Sequence, residues 1–383
     1  MNPIGELLAA DEQLTHQTTD TFATVGTSDP SWTEKVCAMA MARDGSIQLG
    51  FGLGKYTNRN VMDAYAAVGR GASQHTVRAS RRLAPEPELT SIGPVRYEVV
   101  EPLHKVRFHL EANDCQPISF DWTFTSVVPP VVEERTHLRA GYRISADLVR
   151  YHQTGIAEGW VEVDGERTEI DPESWVSTRD HSWGVRYDVG VPPVDVEGAE
   201  IEIPAGVGFM MMWCPALLER PDGSRYASHL HFTRFAMPGL DQRTVTAGVE
   251  HPDGSREPIV AMEPDLAFDP DNRRFLGGTI EAVMDDGSSR PFHLEALGDT
   301  GVHLGLYFGY DGHHHGEFRG ELQVEGEFIE DCRDPATARR IHQIRDTAVR
   351  VTDPIGGGTG WGNCQTVAAG PWPDAGLADE SWL

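Results

Sequence analysis

Apolar and polar positions along the chain fall mostly into short alternating runs. Gly159-Trp-Val-Glu-Val-Asp164 alternates, as do His303–Phe308 and Gly320–Phe328, with the two-residue period of a strand that buries one face. Turn pairs recur throughout the chain: Asp44-Gly45, Asp164-Gly165, Asp222-Gly223, Asp253-Gly254, Asp286-Gly287 and Asp311-Gly312. Asp-Gly between alternating segments signals a hairpin, because glycine tolerates the positive φ that the turn needs. Helical periodicity is scarce, and only Pro3–Leu14 and Pro335–Arg345 predict short helices. Many short strands with frequent turns predict an all-β chain of antiparallel barrels or sandwiches, not alternating β-α units. A change of pattern at Val189-Gly-Val-Pro-Pro-Val194 predicts a break into an N-terminal β domain over 1–190 and a C-terminal one over 191–383. His181-Ser-Trp-Gly184 and Thr359-Gly-Trp-Gly362 stand near the ends of these halves, a faint echo of duplication.

Composition narrows the partners. At 383 residues the chain is longer than one compact core usually organises. Its 59 acidic residues against 32 basic ones give a formal charge of −27, which argues against nucleic acid and anionic membrane surfaces and favours a neutral or apolar small molecule. The most apolar stretch, Pro204–Leu218, is broken by Gly206, Gly208 and Pro215 and is too short for a membrane span. The chain opens without a signal-peptide pattern. Cys37, Cys115, Cys214, Cys332 and Cys364 are odd in number and dispersed, as expected of reduced thiols in a cytoplasmic protein. Gly50-Phe-Gly-Leu-Gly54 and Gly356-Gly-Gly-Thr-Gly360 lack the spacing of nucleotide-binding loops. The pattern leaves oligomeric state open and is compatible with a homodimer.

The densest candidate chemistry lies in Thr178-Arg-Asp-His-Ser-Trp-Gly-Val-Arg186. On a strand, His181 and Trp183 share one face, and Asp180 and Ser182 the other. Imidazole and indole on one apolar face suit a reaction that passes through positive charge: the imidazole moves a proton near neutral pH, and the indole face stabilises a cation. Asp180 and Arg179 are then expected to orient the histidine, with Arg186 beside them. The alternative is a Trp-Gly corner at a barrel end with a buried Arg-Asp pair. His229-Leu-His231 puts two imidazoles on one strand face. No spacing fixes a third ligand, so a pocket-lining role is expected and no metal. Tyr310-Asp-Gly-His-His-His-Gly-Glu-Phe-Arg319 reads as a histidine-rich turn in which Tyr310 or Glu317 could supply a second acid-base group. Met211, in the run Met210-Met-Met212, suits an adaptable apolar pocket, although buried core more often accounts for such a run.

Arg179-Asp-His-Ser-Trp-Gly184 resembles the carotenoid 1,2-hydratase (hydroxyneurosporene synthase) family and its lipocalin-like relatives, which include natural-product cyclases. Gly159–Gly165, Gly316-Glu-Phe-Arg-Gly320 and Trp361-Gly362 extend the likeness over the chain from about Gly159 onward. The resemblance implies two lipocalin-like (calycin) antiparallel β-barrel domains around an apolar cavity, with few short helices and no cofactor. In the hydratases, the His and Trp of the motif work with a downstream Tyr-x-Asp. His181 and Trp183 match the first pair, whereas Gly208-Phe-Met-Met-Met-Trp-Cys214 stands where the second would lie. The expected activity is therefore a cofactor-independent lyase of the hydratase/dehydratase type, or one releasing a small fragment, acting on a hydrophobic isoprenoid or aromatic substrate. A non-catalytic carrier and a polyene cyclase or isomerase are the alternatives.

Overall fold

A computed structural model describes residues 7–191, 193–197, 206–298, 309–341 and 344–378. Among these the chain is nearly all antiparallel β, as the alternating runs predict. Gly159–Asp164 falls at the end of the long strand Arg143–Val163, and Gly320–Phe328 covers the strand Leu322–Ile329. The run His303–Phe308 lies outside the described residues. Where Pro3–Leu14 predicts a helix, the described part forms one 3-10 turn, Ala9–Glu12. The second helix is shorter than predicted, Pro335–Arg340, because Arg345 already opens a strand. Asp334 caps it by accepting a hydrogen bond from the Thr337 amide at 2.8 Å. No helix of the described residues is long and apolar enough to cross a membrane.

The strands form a 14-stranded and a 9-stranded sheet among the described residues. In the first, the strand order runs from Leu322–Ile329 through the meander Ser73–Arg82, Val61–Arg70, Gln48–Tyr56 and Trp32–Ala42. It continues into Trp175–Val185 and Arg143–Val163. The sheet curls around a core that includes Phe51, Phe108, Phe120, Trp122 and Phe124. These rings interlock, with the Phe108 and Trp122 centroids 4.3 Å apart. Aromatic side chains therefore fill the core of the first barrel. The second sheet returns on itself, since Gly208–Glu219 pairs with both Gly358–Ala369 and Arg225–Met237. Met210, Met212, Leu230 and Phe232 point into its core.

Strand alternation makes each barrel apolar on two sides where they meet. Met39, Met41, Tyr65 and Val176 of the first pack on Leu217 and Ala348 of the second. Polar groups continue the junction: Thr178 donates to Asn363, whose side-chain amide donates to Asp346 at 3.0 Å. The chain passes between the sheets after Val185, and the strand Leu322–Ile329 crosses back to the first.

Candidate functional site

The strand Trp175–Val185 lies between Trp32–Ala42 and Arg143–Val163, so residues opposite one another project to the same side. Register sets His181 between Val36 and Tyr151, and Arg179 between Ala38 and Gln153. Trp183 lies between Glu34 and Val149. Val36 and Ala38 belong to the core of the first barrel, which makes this its inner face.

Two partners hold the imidazole. His181 Nε2 lies 2.9 Å from Glu34 Oε1, and Nδ1 lies 3.2 Å from the Tyr151 hydroxyl. A carboxylate only accepts, so Nε2 carries the proton of the neutral ring and Nδ1 accepts from the tyrosine O–H. The hydrogen bond from His181 holds the Glu34 carboxyl below its ordinary value, against partial desolvation by its neighbours. Trp183 meets His181 edge-on at 5.7 Å, and Tyr151 is 5.4 Å from the same ring. Deeper in, Arg179 donates to Gln153 and, at 3.4 Å, to Tyr151. Its guanidinium lies over the rings of Tyr151 and Phe124 at 5.3 and 5.5 Å. Burial pushes the nearby Tyr97 phenol up to about 12. The His181 side chain is 23% exposed and that of Glu34 52%, which makes the group a rim reachable from solvent. It can pass a proton between Tyr151 and His181 while Glu34 stabilises the imidazolium.

The other expected residues lie elsewhere. Asp180 is one position out of phase, so it points away from His181 toward the second barrel, within electrostatic reach of Arg150 and Glu133. The carboxylate hydrogen-bonded to His181 is Glu34, whereas Asp180 acts on the ring only through space. Arg186 turns to Ser182 Oγ at 2.7 Å. Tyr310 donates to Glu327 at 2.7 Å, and Glu317 Oε2 lies 3.1 Å from His313 Nδ1. Glu317 also lines a cavity of about 20 Å³ with Lys35 and Asp63. Lys35 is out of phase with Glu34 and Val36, so this pocket opens on the outer face and neither Tyr310 nor Glu317 belongs to the His181 group. Behind it, Tyr56 donates to Asp63 at 3.0 Å, and its oxygen lies 2.9 Å from His315 Nδ1. Met211 alternates with core residues Met210 and Met212 and is half-buried on the opposite side.

His229 and His231 gather at the barrel junction. His229 stacks on His152 of the first barrel, with centroids 3.6 Å apart and planes at 11°. His152 bridges two buried carboxylates, with Nε2 2.8 Å from Glu250 Oε1 and Nδ1 3.2 Å from Glu133 Oε1. Although burial alone lowers it, this pair of carboxylates raises His152 to about 9. Trp213 Nε1 also donates to Glu133, at 3.0 Å. A cavity of about 210 Å³ adjoins, lined by Glu133, His152 and Arg256 among others. Glu34, Tyr151, Glu133, His152 and Glu250 had no motif to mark them, since they meet only through strand register and barrel docking.

Fold and site together define an all-β protein of two docked barrels, with one histidine-centred group at a barrel rim and another at the junction. The chain belongs to a family of unknown function, DUF8625, whose model matches residues 7–378. No curated protein matches it. Among solved structures, it is similar to CghA in complex with Sch210972, with 14% identity, 88% of each chain covered and a TM-score of 0.48. An AttH-like protein of Nitrosomonas europaea matches at 12% identity over 88% of this chain and 92% of that one, with a TM-score of 0.45. Kievitone hydratase of Nectria haematococca matches at 12% identity over 90% and 92%, with a TM-score of 0.42. The carotenoid-hydratase branch that Arg179–Gly184 resembles does not appear among these matches.

Proposed function

We propose that this protein is a lyase of the hydratase/dehydratase type, adding water to or removing it from a hydrophobic isoprenoid or aromatic molecule by side-chain acid-base chemistry. The observation that carries the reading is the position of His181. It is hydrogen-bonded to Glu34 and Tyr151 at once, beside Trp183, on a rim open to solvent.

In the hydration direction, the Tyr151–His181–Glu34 relay gives a proton to the alkene carbon, and the π pair forms the new C–H bond. The resulting cation is stabilised by Trp183 and Tyr151. Water then forms the C–O bond and returns one proton to the relay, so each group ends as it began. Dehydration runs the same steps backward. General acid-base catalysis contributes roughly 10²–10⁴-fold, which sets the size of the expected effect. The test is to incubate the purified protein with small-molecule extracts of its host and follow gain or loss of one water by mass spectrometry. Wild type is expected to convert a hydrophobic compound, and His181→Ala to slow that conversion by about 10²-fold. A folded His181→Ala protein with full turnover overturns the assignment.

A further inference from the structure

We propose that the barrel junction holds a divalent transition-metal ion, bound by His229, His231 and Glu133. This site is separate from the rim and does not rest on the reading above. His229-Leu-His231 supplies two imidazoles from one strand face, and docking of the first barrel adds the carboxylate that spacing alone did not provide. His229 Nε2 lies 3.6 Å from Glu133 Oε1, and His231 Nδ1 lies 3.7 Å from Glu133 Oε2. One ligand atom from each residue falls within 4.8 Å of the other two. Around a zinc-like ion with bonds of about 2.0–2.2 Å, tetrahedral ligand atoms stand roughly 3.3–3.6 Å apart. Closing the triad onto an ion therefore needs shifts of a fraction of an ångström to about one.

The second observation is the state of the nitrogens. His229 is fully buried, yet neither of its ring nitrogens has a hydrogen-bond partner. Nδ1 of His231 is also buried without one. Buried polar atoms are normally satisfied, and leaving them bare is costly. An ion at the centre satisfies two of the three together. The carboxylate is already oriented, since Trp213 and His152 both hold its Oε1, as outer hydrogen bonds do for metal ligands. The charges around it are mixed: the carboxylates of Glu133, Glu250 and Asp180 face the Arg150 and Arg256 guanidinium groups and the His152 imidazole. Two imidazoles and one carboxylate suit Zn²⁺ or Fe²⁺, and one of the three ligands, Glu133, also lines the neighbouring cavity.

The probe is Co²⁺ alone, titrated into full-length, tag-free, chelator-treated protein and followed by its visible d–d bands, with Zn²⁺ in competition. The expected result is one site per chain. His229→Ala, His231→Ala and Glu133→Gln should each weaken it by more than about 100-fold, beyond the 10–100-fold typical of losing an outer-shell partner. His313 offers an exposed imidazole in the triple-histidine turn, so His313→Ala is run alongside and should leave the bands unchanged. If His229→Ala fails to fold, His231, whose side chain is 19% exposed, carries the test. Zn²⁺ should also raise the melting temperature of wild type, because a ligand that binds only the folded state stabilises it. Bands that survive all three substitutions, or wild type that neither develops bands nor gains stability, overturn the proposal.

Discussion

At the scale of single residues, the rim separates roles that one variant cannot. Tyr151→Phe removes the hydroxyl that meets His181 Nδ1 and keeps the ring. Turnover is expected to fall by about 10²-fold if that hydroxyl passes the proton, with an unchanged circular dichroism spectrum. Trp183→Phe should lose less than Trp183→Ala, since a phenyl face keeps part of the cation-stabilising quadrupole. Asp180→Asn gives the contrast: Asp180 faces the junction, so the melting temperature should move while turnover per folded molecule holds. A selective fall in turnover with Asp180→Asn would restore it as the orienting carboxylate. Kinetics and thermal melts on the same preparations distinguish these outcomes.

At the scale of elements, the turns and strands were the most legible part of the sequence. Four Asp-Gly-Ser turns share one local device: Asp44, Asp222, Asp253 and Asp286 each accept from the amide of the serine two residues on, at 2.8–2.9 Å. Asp164-Gly165 differs, with φ of 53° and 80° at the two residues of a tight hairpin. The Trp-Gly echo has a physical basis as well. A Cβ on Gly184 would stand 2.2 Å from the Asp147 carbonyl oxygen, and one on Gly362 2.0 Å from that of Pro215. Each glycine therefore permits a close approach of neighbouring strands. Gly184 also has φ of 133°, so Gly184→Ala should destabilise by at least about 2–3 kcal/mol, through clash and strain together. Chemical denaturation checks this, and a loss under 1 kcal/mol would show that the strands can part at little cost. The site was less legible. Alternation put His181 and Trp183 on one face, but Glu34 and Tyr151 reach them only through register between strands far apart in sequence. The third group beside His229 and His231 needed the docking of two barrels.

At the scale of the whole molecule, the junction carries a buried acid with a definite pH signature. Asp346 is fully buried, and desolvation raises it to about 7 although Asn363 and Gln365 donate to it. A carboxyl raised on folding favours the folded state while protonated. Its contribution is complete below the ordinary value near 3.8 and is lost as pH rises through about 7. Wild type should therefore lose stability between pH 4 and 7 relative to Asp346→Asn, which has no proton to release. Melting temperatures of both proteins across that range test it, and parallel curves would refute the assignment.

The strand Leu322–Ile329 has a further consequence for how the chain can be divided. It covers the edge of Ser73–Arg82, and Arg78 reaches Glu325 and Glu327 across the seam at 3.0 and 3.1 Å. A fragment ending near residue 190 would leave that edge bare, and an unpaired edge recruits other strands. Such a fragment made alone should self-associate. Co-expression with the remainder should instead yield a one-to-one heterodimer on size-exclusion chromatography, a split protein whose reassembly one β-strand controls.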